Sequence, residues 1–262
     1  MDFWNLMTIK DDYICSFVNL LMKIRHLLSF KEQRLLHKVR KQYQFGTDDL
    51  FIILNGPSIS NQDFSLLKHK QTMFVNRGFK HPKYKELRPR FHMFVDKKML
   101  TGEWPTSWLD EIVKDNPDVI FIMPVQWAFK EKFKSYIKKG YHFYWIPFNT
   151  PASCLGVAGY CFNFAIHNNF RKIYFTGFDA TGLANEILHT TSHFYGKNEE
   201  NDKKTTSDYK RDFYMFSRHL SDLIKLARSV NESSRKIINI TDGGLLDMFP
   251  REDFNKILQT KQ

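Results

Sequence analysis

The chain has 262 residues, of which 42% are hydrophobic, and this length and composition predict a globular protein with one large core, with or without an appendage. Lysine and arginine outnumber aspartate and glutamate by 11, so we expect an anionic partner such as a nucleic acid, an anionic lipid or a phosphorylated substrate. Three cysteines argue against a disulfide-stabilised scaffold and favour a reducing compartment. Neither a cleavable signal peptide nor an apolar run of transmembrane length is visible.

The first predicted element is an amphipathic, basic helical segment in residues 1–48. Apolar residues recur there at helical spacing and a basic flank follows them: Ile14, Phe17, Val18, Leu20, Leu21, Ile24, Leu27 and Leu28, then Lys31, Arg34, His37, Lys38, Arg40 and Lys41. Such a helix either packs on its own domain or on a second copy of the chain, or it lies on an anionic membrane. A polar break at 46–49 separates it from the predicted main domain, 49–262.

The main domain alternates short apolar strands with helices. We predict strands at 50–54, 72–76, 91–95, 119–123, 142–146, 172–176 and 236–240, because most of these runs are β-branched or aromatic and are bounded by turn residues. Helical patterns fill 106–114, 126–138, 154–167 and 207–230. This alternation is typical of an α/β fold with a mostly parallel sheet of about seven strands. Residues 182–206 break the alternation, and we interpret them as a mobile lid.

Polar residues follow four of the predicted strands, at the edge where a doubly wound sheet binds its ligands. They are Asn55-Gly56-Pro57-Ser58, Asn76-Arg77-Gly78, Asp96-Lys97-Lys98 and Gly177-Phe178-Asp179. A glycine-containing turn lets backbone N–H groups approach a phosphate, and asparagine side chains can both donate to and accept from a nucleotide. The sequence therefore predicts a nucleotide site at this edge.

Motifs for several other kinds of site are missing from the sequence. It contains no GxGxxG fingerprint, no Walker A loop and no DxD motif, which disfavours NAD enzymes, P-loop kinases and metal-bound sugar nucleotides. We therefore expect neither a cofactor nor a metal. His189 and His193 have the spacing of a helical metal pair, but the residues between them favour a loop.

Five segments carry a further pattern, in this order along the chain: Asn55-Gly56-Pro57-Ser58, Val75-Asn76-Arg77, residues 173–179, Ser192-His193-Phe194-Tyr195-Gly196, and residues 237–246. Together they resemble the bacterial sialyltransferases of glycosyltransferase family 42. The resemblance implies a single Rossmann-like domain of the A-type glycosyltransferase kind. It also implies transfer of a nonulosonic acid from a CMP-activated donor to a sugar hydroxyl.

The same resemblance implies roles for individual residues. Asn55 and Asn76 would bind the CMP part of the donor, and His193 would be the general base, since histidine titrates near neutral pH. The residues expected at the nucleotide and donor are Asn55, Gly56, Pro57, Ser58, Asn76, Arg77, Asp96, Ser153, Gly177, Asp179 and Thr181. Two of them have structural alternatives: Asp179 as a cap of the following turn, and Ser153 as the N-cap of the following helix.

The sequence departs from the family pattern at two positions. The family has a tyrosine near the leaving phosphate where Thr181 stands here, so Tyr195, Lys97 and Lys98 become the candidates for that contact, with Arg77 and Lys210 as further options. Asp96 replaces a family asparagine. The donor therefore stays open between CMP-sialic acid, a Kdo-like or other nonulosonate, and a different sugar nucleotide. Trp104 either stacks on an acceptor sugar or packs in the fold.

Our leading interpretation is a metal-independent glycosyltransferase for a bacterial surface glycan such as lipopolysaccharide or capsule. Its N-terminal helix would hold it at the inner face of the inner membrane, near a lipid-linked acceptor, or would form a homo-oligomer contact. A diphosphokinase or other phosphotransferase on a related scaffold is the second enzyme hypothesis. A basic nucleic-acid-binding module is the third, and no motif supports it, so we expect no nucleic-acid partner.

Overall fold

Seven parallel strands form one sheet in the part of the chain that this computed structural model describes, namely residues 3–46, 48–147, 156–196, 204–231, 233 and 235–259. The strands are β1 (Leu50–Ile53), β2 (Gln71–Val75), β3 (Phe91–Met93), β4 (Ile120–Pro124), β5 (His142–Ile146), β6 (Lys172–Thr176) and β7 (Lys236–Asn239). All seven predicted strands are confirmed. The prediction succeeded because apolar runs that are buried on both faces are characteristic of parallel sheets flanked by helices.

The strand order is β5-β4-β3-β2-β1-β6-β7, so the chain winds outward from β1 to β5 and then crosses back to β6. This reversal places a topological switch point between β1 and β6, where open α/β sheets bind ligands. Ile53 pairs with Phe74 on one side and with Thr176 on the other. The loops that follow β1, β2 and β6 therefore leave the sheet at the same level.

Helices cover the sheet on both faces. Within the described residues they are α1 (Phe3–Leu27), α2 (Phe30–Gln42), α3 (Tyr84–Leu87), α4 (Lys97–Thr101), α5 (Trp108–Asp115), α6 (Glu131–Lys138), α7 (Gly156–His167), α8 (Gly182–Ile187), α9 (Thr206–Asn231) and α10 (Phe254–Gln259). The predicted helices 106–114, 154–167 and 207–230 correspond to α5, α7 and α9. Residues 154 and 155 lie outside the described residues.

The helix predicted over 126–138 is wrong in its first half. Residues Val125–Phe129 form a 3-10 helix, and the extended backbone of Lys130 (φ −88°, ψ 135°) separates it from α6. Phe133 in α6 is buried, whereas Ile137 in the same helix is 40% exposed and Phe129, at the end of the 3-10 helix, is 41% exposed. Tyr136, three residues after Phe133, completes the buried face instead.

Aromatic side chains form a packed cluster inside the fold. Phe45, just before β1, contacts the rings of Phe91, Phe164 and Phe170 at centroid distances of 5.0, 5.7 and 6.3 Å. All four rings are buried. Aromatic residues in this chain therefore mark the core first.

The N-terminal segment, predicted as one helix, forms two helices that break at Leu28 and Ser29. Helix α2 packs against the edge strand β5 and buries Leu36 and Val39, so this part docks on its own domain. Among the described residues no helix is both long and apolar enough to cross a bilayer.

The first part of the predicted lid is helical and not structureless. Helix α8 begins after Thr181, and the side chain of Asn185 donates to the Thr181 hydroxyl and to the Thr191 carbonyl at 3.3 and 3.1 Å. These local bonds fold residues 182–191 back on themselves. Residues 197–203 of the predicted lid lie outside the described residues.

Candidate active site

A cavity of about 330 Å³ opens at the switch point, beyond the carboxyl ends of β1, β2 and β6. Most of the sequence-predicted residues line it: Asn55, Gly56, Pro57, Asn76, Asp96, Lys98, Gly177, Asp179, Thr181, His193 and Tyr195. A second cavity, of about 490 Å³, lies between α2, β5 and α7 and contains none of them. We take the smaller cavity as the candidate active site because it combines the switch point with titratable and amide side chains.

The loops after β1 and β6 interlock at the floor of this cavity. Gly56 N–H donates to the Gly177 carbonyl at 2.8 Å, and Ser58 N–H donates to Asp179 Oδ2 at 3.2 Å. A Cβ at Gly56 would overlap the Asp179 carboxylate, and one at Gly177, where φ is +71°, would lie 2.5 Å from the Leu54 carbonyl oxygen. Both glycines are therefore required by close approach of the two loops.

These bonds correct two expectations. The N–H groups of Gly56 and Ser58, which the sequence suggested for a phosphate, already bond within the fold. Asp179 does not cap its own following helix, since Thr181 holds the N-cap position of α8. The carboxylate instead caps the 3-10 turn Pro57–Asn61 of the other loop.

Three acceptor oxygens at the cavity are buried and have no hydrogen-bond partner among the described residues: Asn55 Oδ1, Asn76 Oδ1 and Asp179 Oδ1. The amide of Asn55 is oriented, because its Nδ2 donates to the Val75 carbonyl at 3.2 Å. A buried acceptor without a partner costs free energy that a donor on a ligand can recover. The floor of the cavity is therefore suited to a ligand with several N–H or O–H groups.

Asn76 is held by a hydrogen-bond chain that runs into the core. Its backbone adopts a left-handed conformation, with φ of 48°, and its carbonyl oxygen accepts from His92 Nε2 at 2.9 Å. His92 Nδ1 in turn accepts from the Tyr84 hydroxyl at 2.9 Å. Burial lowers the pKa of His92 to about 3, so the imidazole is neutral and donates from one nitrogen only.

His193 reaches the cavity from the segment after α8. The backbone N–H of Phe194 donates to the Asn55 carbonyl at 3.0 Å, and the ring of Tyr195 stacks on the imidazole at 4.9 Å. Burial lowers the pKa of His193; a hydrogen bond to the Asn55 backbone and the charge of Glu186 oppose this effect. The imidazole is therefore neutral at pH 7 and can accept a proton.

Two cations lie beside this histidine. The Arg77 guanidinium stands over the rings of Trp104 and Tyr195 at 5.4 and 5.7 Å, and Lys98 Nζ lies 5.8 Å from the Trp104 ring. Their charges contribute to the lowered pKa of His193. The Trp104 side chain packs in the fold, at 7% exposure, and also lines the cavity.

Several candidates lie away from the cavity, and one that lines it also has a structural role. Lys97 is exposed and does not line it, while His189 and Lys210 are exposed as well. Asp96 lines the cavity but also caps α4 by accepting from Lys98 N–H at 3.0 Å. Ser153 lies outside the described residues.

The sequence interpretation missed the contribution of α9, whose residues Phe216 and His219 line the cavity. Burial lowers the pKa of His219 to about 4, and its Nε2 is buried without a hydrogen-bond partner in the described structure. A polar residue three positions after Phe216, on the apolar stripe of the helix, was the pattern that could have revealed it.

No group of three or more histidine, cysteine, aspartate or glutamate side chains is placed to hold a metal ion within the described ranges. No protein family and no curated protein matches the sequence. A solved structure that is similar in backbone path is the sialyltransferase CstII from Campylobacter jejuni, in complex with a substrate analogue, cytidine-5'-monophosphate. It is 15% identical, the match covers 79% of this chain and 86% of that chain, and the TM-score is 0.47.

Proposed function

We propose that the protein is a metal-independent glycosyltransferase that moves sialic acid or a related nonulosonic acid from a CMP-activated donor to a hydroxyl of a bacterial surface glycan, such as lipopolysaccharide or capsule. One arrangement carries this proposal. Three acceptor oxygens, of Asn55, Asn76 and Asp179, lie at a cavity that Lys98 and the neutral His193 also line, and the Arg77 guanidinium lies against two aromatic rings of its wall.

The two sets of groups suit the two halves of such a donor. An amino-nucleobase and a ribose supply the N–H and O–H donors that the three oxygens lack. A phosphate or carboxylate suits Arg77 and Lys98, which face the same aromatic side chain, Trp104. Cations in these positions can stabilise the charge of the leaving nucleotide without a metal.

His193 then acts as general base. The acceptor hydroxyl gives its proton to the imidazole as its oxygen forms a bond to the anomeric carbon. The bond from that carbon to the phosphate oxygen breaks, and its electron pair leaves with CMP. The neutral state of His193 is the state that this step needs.

Nucleotide binding tests the proposal first. CMP at about 100 times its Kd should stabilise the protein by about 2.7 kcal/mol, which raises Tm by about 5–10 °C, with or without EDTA. Asn55→Ala should remove this shift, whereas Asn61→Ala, an exposed asparagine on the same loop, should keep it. Selective stabilisation by ATP with magnesium would favour a phosphotransferase. Salt-sensitive binding of random oligonucleotides, with no effect of CMP, would favour a nucleic-acid module.

Release of CMP from a panel of CMP-activated nonulosonic acids tests the chemistry. His193→Ala should retain the thermal shift with CMP and lose transfer, because the imidazole is assigned to the reaction step and not to nucleotide binding. Full turnover by this variant would refute the assignment. A donor panel in which only another sugar nucleotide reacts would keep the transferase and change the donor.

A further inference from the structure

Helix α1 turns its apolar stripe away from the protein. Phe17, Leu20, Leu21 and Ile24 follow one another at helical spacing and are 61, 53, 49 and 44% exposed, and Leu28, just after the helix, is 76% exposed. A helix that packs on its own domain places such a stripe against the core. An exposed contiguous apolar surface of this kind marks an interaction site.

Ion pairs fix this orientation from the opposite side of the helix. Asp12 accepts from Arg218 Nη1 on α9 at 2.9 Å and lies 2.5 Å from Lys225 Nζ. At the other end of α1, Arg25 pairs with Glu32 of α2 at 3.0 Å, and His26 Nδ1 forms a hydrogen bond with the same carboxylate at 2.9 Å. Rotating the stripe inward would break the pair with Arg218, whose side chain is only 5% exposed, and breaking a buried pair is costly.

The charge around the stripe is strongly positive. Residues 3–42 contain eight lysines and arginines and three acidic residues. Both acidic side chains that the structure describes there, Asp12 and Glu32, are paired with cations. The exposed cations of the two helices include Lys10, Lys23, Lys31, Arg34, Lys38 and Lys41.

We propose that α1 docks this protein on an anionic lipid surface, with the stripe from Phe17 to Leu28 in the interface and the neighbouring cations at the headgroups. This goes beyond the proposed transfer reaction and does not depend on it. A second copy of the chain would present the same positive charge to the stripe, whereas an anionic bilayer supplies the opposite charge together with an apolar layer. Helix α1 would lie in the plane of the interface.

Co-sedimentation of the full chain with vesicles tests the docking. We expect binding to phosphatidylcholine vesicles that contain phosphatidylglycerol, weaker binding at high salt, and little binding to pure phosphatidylcholine. Leu21→Gln combined with Ile24→Gln should weaken the partition coefficient about tenfold or more, because both side chains leave the apolar layer. Leu188→Gln combined with Leu245→Gln is the matched control, since both leucines are exposed and lie outside α1 and the cavity.

Several outcomes would overturn the proposal. One is a wild-type protein that does not sediment with anionic vesicles, and another is a Leu21/Ile24 variant that binds them as well as wild type. Equal binding to neutral vesicles would remove the charge argument. A dimer in sedimentation equilibrium that the same variant dissociates, without vesicle binding, would assign the stripe to a second copy. The CMP thermal shift, measured on each variant, separates these results from a failure of the proposed transferase function.

Discussion

Replacing Gly56 by alanine should destabilise the protein through lack of space and not through backbone strain. Gly56 has an ordinary φ of −64°, so alanine can adopt the conformation, but its Cβ would overlap the Asp179 carboxylate and lie 2.6 Å from the Gly177 carbonyl oxygen. The loops after β1 and β6 must separate to make room. That separation breaks the hydrogen bond from Gly56 N–H to Gly177 and the one from Ser58 N–H to Asp179.

The size of the effect follows from these two bonds. A neutral backbone bond contributes about 1 kcal/mol and a bond to a carboxylate about 1.5–3 kcal/mol, for a loss of about 2.5–4 kcal/mol. Alanine offsets about 0.4–1 kcal/mol of this by restricting the unfolded chain. The net loss of about 2–3 kcal/mol should lower Tm by about 4–12 °C.

Thermal unfolding followed by circular dichroism measures this change. Gly182→Ala is the control, because nothing lies within 4 Å of its Cβ position, and we expect its Tm to stay at or slightly above that of wild type. In an Asp179→Ala background the Gly56→Ala substitution should cost less, since the overlapping carboxylate is gone. A Gly56→Ala protein that melts within a degree of wild type would show that the loops do not interlock as described.

Three further predictions concern protonation and the N-terminal helix. Because burial lowers the pKa of His193, the acid limb of kcat/KM should lie below pH 6.5, and His193→Gln should abolish activity across the whole profile. His92, with a pKa lowered to about 3, binds fewer protons folded than unfolded, so its contribution to stability falls as pH drops below 6.5. Urea unfolding measures the free energy of unfolding at pH 7 and at pH 5. The loss between the two pH values should be about 2 kcal/mol smaller in His92→Gln than in wild type, and equal losses would contradict this account. Asp12→Asn removes the ion pair that holds α1 to Arg218 of α9, while Arg218 keeps its pair with Asp222 at 3.5 Å. Helix α1 should then detach more often, and trypsin should cleave within it faster than in wild type.

The sheet could be predicted from the sequence because its strands are short runs of apolar residues bounded by turn residues. The same patterns also placed Asn55, Asn76 and Asp179 together, since parallel strands end at a common edge. Local backbone features that leave no periodic pattern in the sequence could not be predicted. The break at Lys130 between a 3-10 helix and α6 is one case, and the short helix α8 inside the predicted lid is another.

Strand-end patterns predicted one part of the cavity, and the family resemblance predicted His193 and Tyr195. His219 and Phe216 reach it from the middle of α9, a helix distant in sequence, and were not predicted. The orientation of α1 could not be predicted from the sequence either. Its apolar stripe left a packed face and a membrane-facing one open, and the ion pairs of Asp12 set which side of the helix faces the protein.

The hydrogen-bond chain from Tyr84 through His92 to the Asn76 carbonyl has a consequence for the candidate active site. The two residues that hold Asn76 are buried, at 3% and 0% exposure, and neither one lines the cavity. Substituting Tyr84 by phenylalanine would remove the donor to His92 Nδ1 and loosen the support of the Asn76 backbone, without changing any residue that lines the cavity. The shape of the cavity at Asn76 can thus be changed from the interior, by two residues that no inspection of its walls would identify.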